Sequence, residues 1–411
     1  MLSLLWHITH YPTFGVVGLR KVEPYPFVYE TFVKGRWQKR PLIETFAIEF
    51  QDKPREYYAE AIKRGDILIN NQPVTTDYIP RNNDILTHAI HRHEPPVTAQ
   101  KVELLRVDED LLVVNKPSSL PIHPTGRYHH NTVLHILRSP EFGLEELYPV
   151  NRLDRLTSGL CLIARTKTAA QNLMAVFQDR TVEKTYLCRV RGVFPEEEIT
   201  CSEPILTISP KLGINAVSPD GKECTTVFKR LSTNGLTSVV ECKPLTGRTH
   251  QIRVHLQFLG HPIANDPLYC CDVWGKEMGK GGVAAGDIDS IVRQLGPHAF
   301  PDLAPVSASE PEDTAPQPQP PQQQEQQVTR TFPPAPGCTE CLLTRRDPTP
   351  EQLSIWLHSW RYEWDGNMYE TPIPEWAQEG FSGDKVLEVR FWKWGGKWDG
   401  RAAGAVEEGE G

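Results

Sequence analysis

A single carboxylate between two arginines is the arrangement in this sequence that could do chemistry. In the stretch VNRLDRLTSGLCLIAR, residues 150–165, Asp154 stands between Arg152 and Arg155, just before a Thr-Ser-Gly turn that leads into an apolar strand. A carboxylate beside guanidinium groups stays ionised at neutral pH, so it could act as a nucleophile or as a base. The alternative is a loop salt bridge, which is a common role of such Arg/Asp clusters.

Three further stretches carry groups that could serve such a reaction. The segment KTY, residues 184–186, places the hydroxyl of Tyr186 on a strand that follows a helix. The segment KPSSLPIHPTG is a Pro- and Gly-rich loop that contains Lys116 and His123. The start of a helix favours anions because its backbone N–H groups are unpaired. Basic side chains gather around such a start in TGRTHQIRVHLQFLG: Arg248, His250, Arg253 and His255.

Strands and helices alternate from residue 100 to residue 270 and would position these groups. The apolar runs 111–117 and 159–165 predict buried strands, and the alternation in EKTYLCRVRGVF predicts a half-exposed strand. Apolar side chains at three- and four-residue intervals predict an amphipathic helix over 167–180. The segment THQIRVHLQFLG predicts a second helix, which Gly260 ends. The pattern predicts an α+β fold with one sheet of several strands.

Residues 46–95 predict a separate, smaller unit. A helix that Gly65 ends is followed by a strand, a turn at Asn70-Asn71, a second strand and a closing alternating strand. This order resembles the S4 RNA-binding module, and a generic α+β fragment is the alternative. The extension before it, residues 1–45, interleaves aromatic and basic side chains. Such a segment can bind nucleic acid by stacking and phosphate pairing, or it can pack on a neighbouring domain.

Low-complexity sequence interrupts the chain after residue 270. Residues 271–345 begin glycine-rich and continue into a Pro/Gln/Glu tract, which cannot bury enough apolar surface to fold. We expect a disordered insertion that is tolerated rather than one that selects the substrate. The aromatic run 353–364 has β character and is too short to fold alone, so we expect it to return to the same sheet and to complete a domain over 100–377. Residues 378–411 form an acidic, glycine-rich tail.

Composition narrows the classes of protein. The 411 residues carry 44 Lys+Arg and 52 Asp+Glu, a formal charge of −8, but residues 1–270 carry 32 basic against 29 acidic side chains. A mildly basic front part is compatible with a phosphate-backbone partner. No run of about 18 apolar residues occurs, so no membrane-spanning helix is expected. Nine scattered cysteines fit a reducing compartment rather than a disulfide framework.

Together these segments resemble the RluA-type family of RNA pseudouridine synthases. The ordered set NKP, RLDRLTSGL, KTY, GKECTTVF, GRTHQIRVHL and GHPI carries the resemblance, which covers residues 102–266 and resumes over 353–377. It implies a mixed, largely antiparallel central sheet with flanking helices and an RNA cleft, preceded by the S4-like module. It also implies a reaction that breaks the N-glycosidic bond of a uridine, turns the base and rejoins it through C5, with no cofactor and no metal.

The resemblance also implies roles for individual side chains. Asp154 matches the catalytic aspartate, which attacks the ribose C1′ or takes the proton at C2′. Tyr186 matches a tyrosine that stacks on the target base and assists removal of the C5 proton, and Arg253 matches the arginine that pairs with the catalytic carboxylate. Arg152 matches the arginine that fills the space left by the flipped base. The residues expected to bind RNA are Arg152, Arg155, Lys116, Arg248 and His250.

Two alternatives to this enzyme remain open in the sequence. A catalytically inactive RNA-binding paralogue would tolerate changes at Asp154, Tyr186 or Arg253, and all three are present. A zinc deaminase would need an H-x-E and P-C-x-x-C signature, which is absent. One position departs from the family: Asn151 stands where many members have His, which leaves the fine positioning of the loop in doubt.

Cys338-x-x-Cys341 is the one spacing that is typical of a metal site. A structural zinc ion needs four ligands, and Cys270-Cys271 is adjacent rather than spaced and lies far along the chain. His88, His91 and His93 could ligate a metal ion, but they are interpreted as surface groups on the last strand of the smaller unit. We therefore expect no metal, with zinc binding by Cys338 and Cys341 as the alternative.

The N-terminal region and HRHEPPV look most like the eukaryotic tRNA-modifying branch of the family. We therefore expect an RNA partner, most specifically the anticodon arm of tRNA, together with no membrane, no nucleotide cofactor and a monomeric chain. The first 22 residues lack acid and include Arg20 and Lys21, which is compatible with a weak mitochondrial presequence or with an ordinary start. The expected location is the cytoplasm, with mitochondrion or nucleus as alternatives.

Overall fold

A computed structural model describes residues 18–50, 53–210, 212–283, 285–299, 335, 338–343 and 347–384. They divide into a smaller unit, residues 22–94 with 335 and 338–343, and a larger unit that contains the others. The strands, in chain order, are β1 Leu19–Arg20, β2 Tyr25–Phe32, β3 Ile67–Ile69, β4 Gln72–Pro73, β5 Ile85–Arg92, β6 Val97–Thr98, β7 Glu103–Val107, β8 Leu111–Lys116, β9 Tyr148–Pro149, β10 Ser158–Ala164, β11 Glu183–Arg191, β12 Ile199–Cys201, β13 Ile205–Ser209, β14 Ile214–Val217, β15 Thr226–Thr233, β16 Thr237–Pro244, β17 Leu357–Trp364 and β18 Asn367–Glu370. The α-helices are α1 Leu42–Glu49, α2 Arg55–Arg64, α3 Val133–Leu137, α4 Lys167–Gln178, α5 Gln251–Phe258 and α6 Ile288–Ala299.

The smaller unit is a four-stranded antiparallel sheet, in the order β2-β5-β3-β4, that packs on α1 and α2. Gly65 ends α2 at a φ of 80°, and the hairpin turn places Asn70 and Asn71 at φ of 51° and 60°, as predicted. The sheet differs from the expectation in one respect. The segment expected to be an extension contributes β2, which pairs along its whole length with β5, so the compact unit begins near residue 22. The S4-like assignment stays a prediction.

The larger unit is built on one long sheet. Its strands follow the order β12-β15-β16-β11-β17-β10-β8-β7, with β18 on β17 and β9 on β10. Of the strand pairs described in this sheet, only β10 with β17 is parallel, which matches the predicted mixed, largely antiparallel α+β fold. The aromatic run after residue 353 supplies β17, which lies in the middle of the sheet, as expected for a segment that cannot fold alone.

One glycine allows the parallel pair at the centre of this sheet. Gly159, in β10, has a φ of 107°, and a Cβ atom at this position would lie 2.2 Å from the backbone oxygen of Ser359. Any side chain would therefore push β17 away from β10, because no real Cβ contact is that short. The predicted turn Thr-Ser-Gly thus extends into the strand, and Asp154 lies only a few residues before this close approach.

The segment after residue 270 holds more structure than predicted. A 3-10 helix at Asp272–Trp274 and helix α6 pack their apolar side chains into a core cluster, in which Ile291 and Leu295 are buried. The amphipathic spacing within α6 lies between a glycine-rich stretch and the Pro/Gln tract, which obscured it in the sequence. Residues 300–334, where the low-complexity tract lies, are outside the described residues.

The predicted tail also begins later than expected. Asp384 is 1% exposed and accepts hydrogen bonds from Asn234 at 2.6 Å and from Thr237 at 2.6 Å. Residues 385–411 are outside the described residues. Among the parts of the chain that the structure describes, no helix is long and apolar enough to cross a membrane.

Candidate active site

The loop between β9 and β10 carries Asp154 and is fixed by hydrogen bonds at several points. The Asn151 side chain accepts a hydrogen bond from the backbone N–H of Leu162 at 2.9 Å and donates one to the Tyr362 hydroxyl at 3.0 Å. The backbone oxygen of Arg155 accepts a hydrogen bond from Lys116 Nζ at 3.3 Å. Asn151 thus holds both the strand and the aromatic side of the loop with a neutral amide, which answers the doubt that its departure from the family raised.

Asp154 and Arg253 lie close together although 99 positions separate them in the chain. Arg253 Nη1 is 3.7 Å from Asp154 Oδ2, and the aspartate side chain is 29% exposed, whereas that of the arginine is 4% exposed. Helix α5, which carries Arg253, is buried along almost its whole length against the sheet. The arrangement therefore presents a partly accessible carboxylate to solvent while its cationic partner is fixed in the interior.

A second carboxylate, which the sequence analysis did not single out, holds the guanidinium in place. Asp266 accepts hydrogen bonds from Arg253 Nε at 2.6 Å and from Arg253 Nη2 at 2.9 Å, and it also accepts the backbone N–H groups of Leu268 and Tyr269 at 2.9 and 3.1 Å. Burial alone would lower the pKa of Arg253, but the charge and hydrogen bonds of Asp266 raise it above its ordinary value. Arg253 is therefore a permanent cation between two carboxylates.

His250, the N-cap residue of α5, lies beside the same carboxylate. Its Nε2 is 3.7 Å from Asp154 Oδ2, and its Nδ1 is 2.9 Å from the Tyr269 hydroxyl. Burial and then the neighbouring Arg253 lower the pKa of His250 to about 4. The imidazole is thus neutral at pH 7, so the charge that faces Asp154 from this side comes from Arg253.

Two tyrosines form the aromatic side of the site. Tyr186, on β11, packs against three core clusters, and its hydroxyl lies 2.9 Å from the hydroxyl of Tyr362 on β17. Burial raises the pKa of Tyr186, and the charge of Asp154 adds to the increase. Both phenols are therefore protonated at neutral pH, since burial also raises the pKa of Tyr362. Tyr362 escaped the sequence analysis because it stands inside an aromatic run that reads as core.

Lys116 occupies a different place from the one expected. The side chain is fully buried, and Nζ donates hydrogen bonds to the backbone oxygens of Pro117, Leu120 and Arg155 at 2.9, 3.0 and 3.3 Å. Burial lowers its pKa to about 7. This geometry argues against the predicted direct contact with RNA: Lys116 joins the loop after β8 to the loop of Asp154 and acts as a positioning residue.

The three remaining basic residues lie nearer the surface. Arg152 is exposed, and Arg155 is half-buried with its guanidinium 5.5 Å from the centre of the Tyr128 ring. Arg248 donates from Nε and Nη2 to the backbone oxygen of Glu223 at 3.3 and 3.2 Å. Arg152 thus presents an exposed guanidinium two residues before the carboxylate.

Comparison with known proteins identifies the family. Residues 110–258 match the model of the family described as RNA pseudouridylate synthase. The human protein "Pseudouridylate synthase RPUSD2" is 43% identical over 410 residues, which cover 89% of this chain and 75% of the human one. This chain belongs to the RNA pseudouridylate synthase family. The family match and the relatives confirm the predicted RluA-type resemblance, the pseudouridine synthase fold of the larger unit and the isomerase class. The matched segment contains Asp154, Tyr186 and Arg253.

Two yeast relatives have narrower names. The Saccharomyces cerevisiae protein "tRNA pseudouridine(32) synthase, mitochondrial" is 40% identical over 390 residues, which cover 87% of this chain and 77% of the relative. "tRNA pseudouridine(31) synthase" from the same yeast is 32% identical over 421 residues, with 88% and 96% covered. The similarity therefore extends over most of both chains and well beyond the short motifs.

Proposed function

We propose that this protein converts a uridine in the anticodon arm of tRNA to pseudouridine, with Asp154 as the residue that acts on the ribose. The observation that carries the proposal is the pairing of a partly exposed carboxylate with a buried arginine at 3.7 Å. The buried cation lies beside one oxygen of the carboxylate, while the exposed face leaves room for a nucleotide. The names of the two yeast relatives support tRNA as the substrate.

The isomerisation can begin in two ways at Asp154. As a nucleophile, the carboxylate forms a bond to C1′ while the N1–C1′ bond breaks, and the uracil leaves with the electron pair. As a base, it takes the C2′ proton while the same bond breaks. In the first route C5 then bonds to C1′ and displaces the Asp154 carboxylate; in the second, C5 bonds to C1′ while Asp154 returns the proton to C2′. The C5 proton then leaves and N1 gains a proton, so the product has the atoms of the substrate. Arg253 balances the negative charge of Asp154 in the resting site.

The aromatic and basic residues would hold the target in its reactive position. A uridine inside stacked RNA must be flipped out, which costs a few kcal/mol. Stacking on Tyr186 offsets part of that cost, and the exposed Arg152 would occupy the vacated space. The raised pKa keeps the Tyr186 phenol protonated, and a neutral phenol is a poor base, so the stacking role is favoured over removal of the C5 proton.

Partner and compartment are proposed at a coarser level. RNA is the partner, and we propose a monomer that needs no nucleotide cofactor. Cytoplasm is the proposed location. One of the yeast relatives is named mitochondrial, which supports mitochondria as the alternative.

The test is restoration of pseudouridine in tRNA from cells that lack the gene. We expect the purified wild type to restore modification at one anticodon-arm uridine, as mapped by chemical labelling, and Asp154→Asn to bind the same tRNA without forming product. Asp220→Asn, which changes an exposed loop carboxylate, is the matched control and should retain wild-type activity. Full activity of Asp154→Asn would remove Asp154 from the mechanism. Tight binding by the wild type with no product on any RNA would favour the inactive paralogue.

A further inference from the structure

Four side chains that are typical zinc ligands converge in the smaller unit. They are His91, His93, Cys338 and Cys341, which form the His/Cys cluster. Their ligand atoms all lie within 4.8 Å of one another. His91 Nδ1 is 3.2 Å from His93 Nε2 and 3.2 Å from Cys341 Sγ, and His93 Nε2 is 3.4 Å from each sulfur. This region is separate from the residues that the pseudouridine synthase reaction uses.

Two short segments supply the cluster, each with the spacing that aims two ligands at one point. His91 lies near the end of β5 and His93 directly after it, so both side chains project from the same face of an extended segment. Cys338 lies just before the 3-10 helix Glu340–Leu342, and Cys341 lies within that helix. Cys341 is buried and the other three side chains are half-buried.

Hydrogen bonding among these side chains does not account for their arrangement. An imidazole nitrogen offers either one in-plane lone pair or one N–H group. His93 Nε2 nevertheless lies within 3.4 Å of both sulfurs and of His91 Nδ1, and it can pair with only one of them. One cation at a common centre would satisfy all four ligand atoms at once.

The separations match those of a tetrahedral zinc site. Zn–S bonds of about 2.3 Å and Zn–N bonds of about 2.0 Å place tetrahedral ligands roughly 3.3 Å apart for two nitrogens and roughly 3.5 Å apart for nitrogen and sulfur. The cluster shows 3.2 Å between the nitrogens and 3.2 to 3.4 Å between nitrogen and sulfur. The cluster therefore has the size of a first coordination sphere.

The donor set of the cluster also favours a divalent cation. Two thiolates neutralise the charge of Zn²⁺, and two neutral imidazoles complete the shell. A set of two sulfurs and two nitrogens in tetrahedral arrangement favours zinc over Mg²⁺ or Ca²⁺, which take oxygen ligands.

We propose that His91, His93, Cys338 and Cys341 bind one structural zinc ion. Four protein ligands complete the tetrahedron and leave no open position for water or substrate, so the ion would serve folding rather than catalysis. It would join the end of β5 to a segment about 245 positions later, in the same unit. The expectation of no metal rested on the lack of a second ligand pair near Cys338 in the sequence. The fold supplies that pair as His91 and His93, about 245 positions earlier.

The decisive measurement is made on the full-length wild-type protein, purified without chelators. We expect one zinc per chain by elemental analysis. X-ray absorption should show two sulfur neighbours at about 2.3 Å and two nitrogen neighbours at about 2.0 Å from the zinc. Protein free of zinc that also fails to take up added Zn²⁺ would overturn the proposal, as would a zinc ion surrounded only by nitrogen and oxygen.

Variants locate the ion. Cys341→Ser and His91→Gln should each lose the bound zinc on dialysis, whereas Cys271→Ser, at a cysteine of the larger unit outside the cluster, should keep it. Retention of zinc by both cluster variants would overturn the assignment. If the cluster variants do not fold, the absorption spectrum of the wild type decides alone.

Discussion

The surroundings of Asp154 and the His/Cys cluster both concentrate ionisable side chains, but they balance charge differently. Around Asp154, one buried guanidinium lies between two carboxylates, so the protein itself supplies the countercharge. In the cluster, two thiols and two imidazoles face one another, and no lysine, arginine or carboxylate is among the four convergent ligands. In the first region the protein balances its own charges, whereas in the second the proposed zinc ion would supply the balancing charge.

The two carboxylates around Arg253 have different roles. Arg253 is held by a bidentate pair with Asp266, and only its remaining nitrogen faces Asp154. Asp266 therefore fixes the position of the Arg253 guanidinium, and the positive charge of that guanidinium faces Asp154. We expect changes at Asp266 and at Lys116 to act mainly through stability, and changes nearer the exposed face of Asp154 to act mainly through the reaction.

The largest effect is expected from Asp266→Asn. The substitution removes the charge that balances the buried Arg253, and breaking a buried pair on one side costs about 3–5 kcal/mol. Product formation should fall as well, because Arg253 loses the group that orients it. Denaturant unfolding of both variants gives the comparison: Asp154→Asn, whose carboxylate is partly exposed and 3.7 Å away, should lower the free energy of unfolding by less than about 1 kcal/mol. Equal losses in the two variants would contradict the division of roles.

A smaller effect is expected from Lys116→Met. The variant leaves three backbone oxygens without their shared donor, which costs about 3 kcal/mol in total at roughly 1 kcal/mol for each. Arg138→Met, at an exposed arginine that donates to the backbone oxygen of Glu145, is the control and should cost far less. Loss of tRNA affinity by Lys116→Met with unchanged stability would restore the direct RNA contact that the sequence predicted.

The pH dependence of the same variant gives an independent check. Burial lowers the pKa of Lys116 to about 7, whereas the unfolded chain keeps a value of about 10.4. Between these values the unfolded state binds more protons, so Lys116 contributes a stability that rises with pH. The difference in free energy of unfolding between wild type and Lys116→Met should therefore grow as the pH is raised from about 7 to about 10.

Contiguous segments made most of the fold predictable. The helix that Gly65 ends, the Asn70-Asn71 turn and the strands around Asp154 each follow from patterns a few residues long. The pairing of Asp154 with Arg253 came from the family resemblance, and the structure brings these residues together. Local propensity therefore predicted which helices and strands form, and the shared motif predicted that Asp154 and Arg253 meet.

Two contacts between distant segments could not be predicted from the sequence. Asp266 stands in a stretch of polar and apolar residues with no periodicity to mark it, and its role appears only when α5 turns Arg253 toward it. Tyr362 is one aromatic residue in a run, and only the register of β17 beside β11 brings its hydroxyl to Tyr186. Such pairings depend on strand register and helix packing, which a single sequence does not specify.

The smallest effect is expected from Tyr362→Phe, which tests whether the aromatic side of the site acts on the reaction. The variant keeps the ring but loses the hydroxyl that meets Tyr186 at 2.9 Å and Asn151 at 3.0 Å. We expect a stability loss of about 1 kcal/mol. A comparable misalignment of Tyr186 and of the Asp154 loop should slow single-turnover product formation about fivefold to tenfold, with tRNA affinity unchanged.

Tyr369→Phe, on the neighbouring strand β18, is the control and should match the wild-type rate. If Tyr362→Phe weakens tRNA binding and leaves the rate unchanged, the Tyr362 hydroxyl contacts the substrate instead of positioning Tyr186 and Asn151.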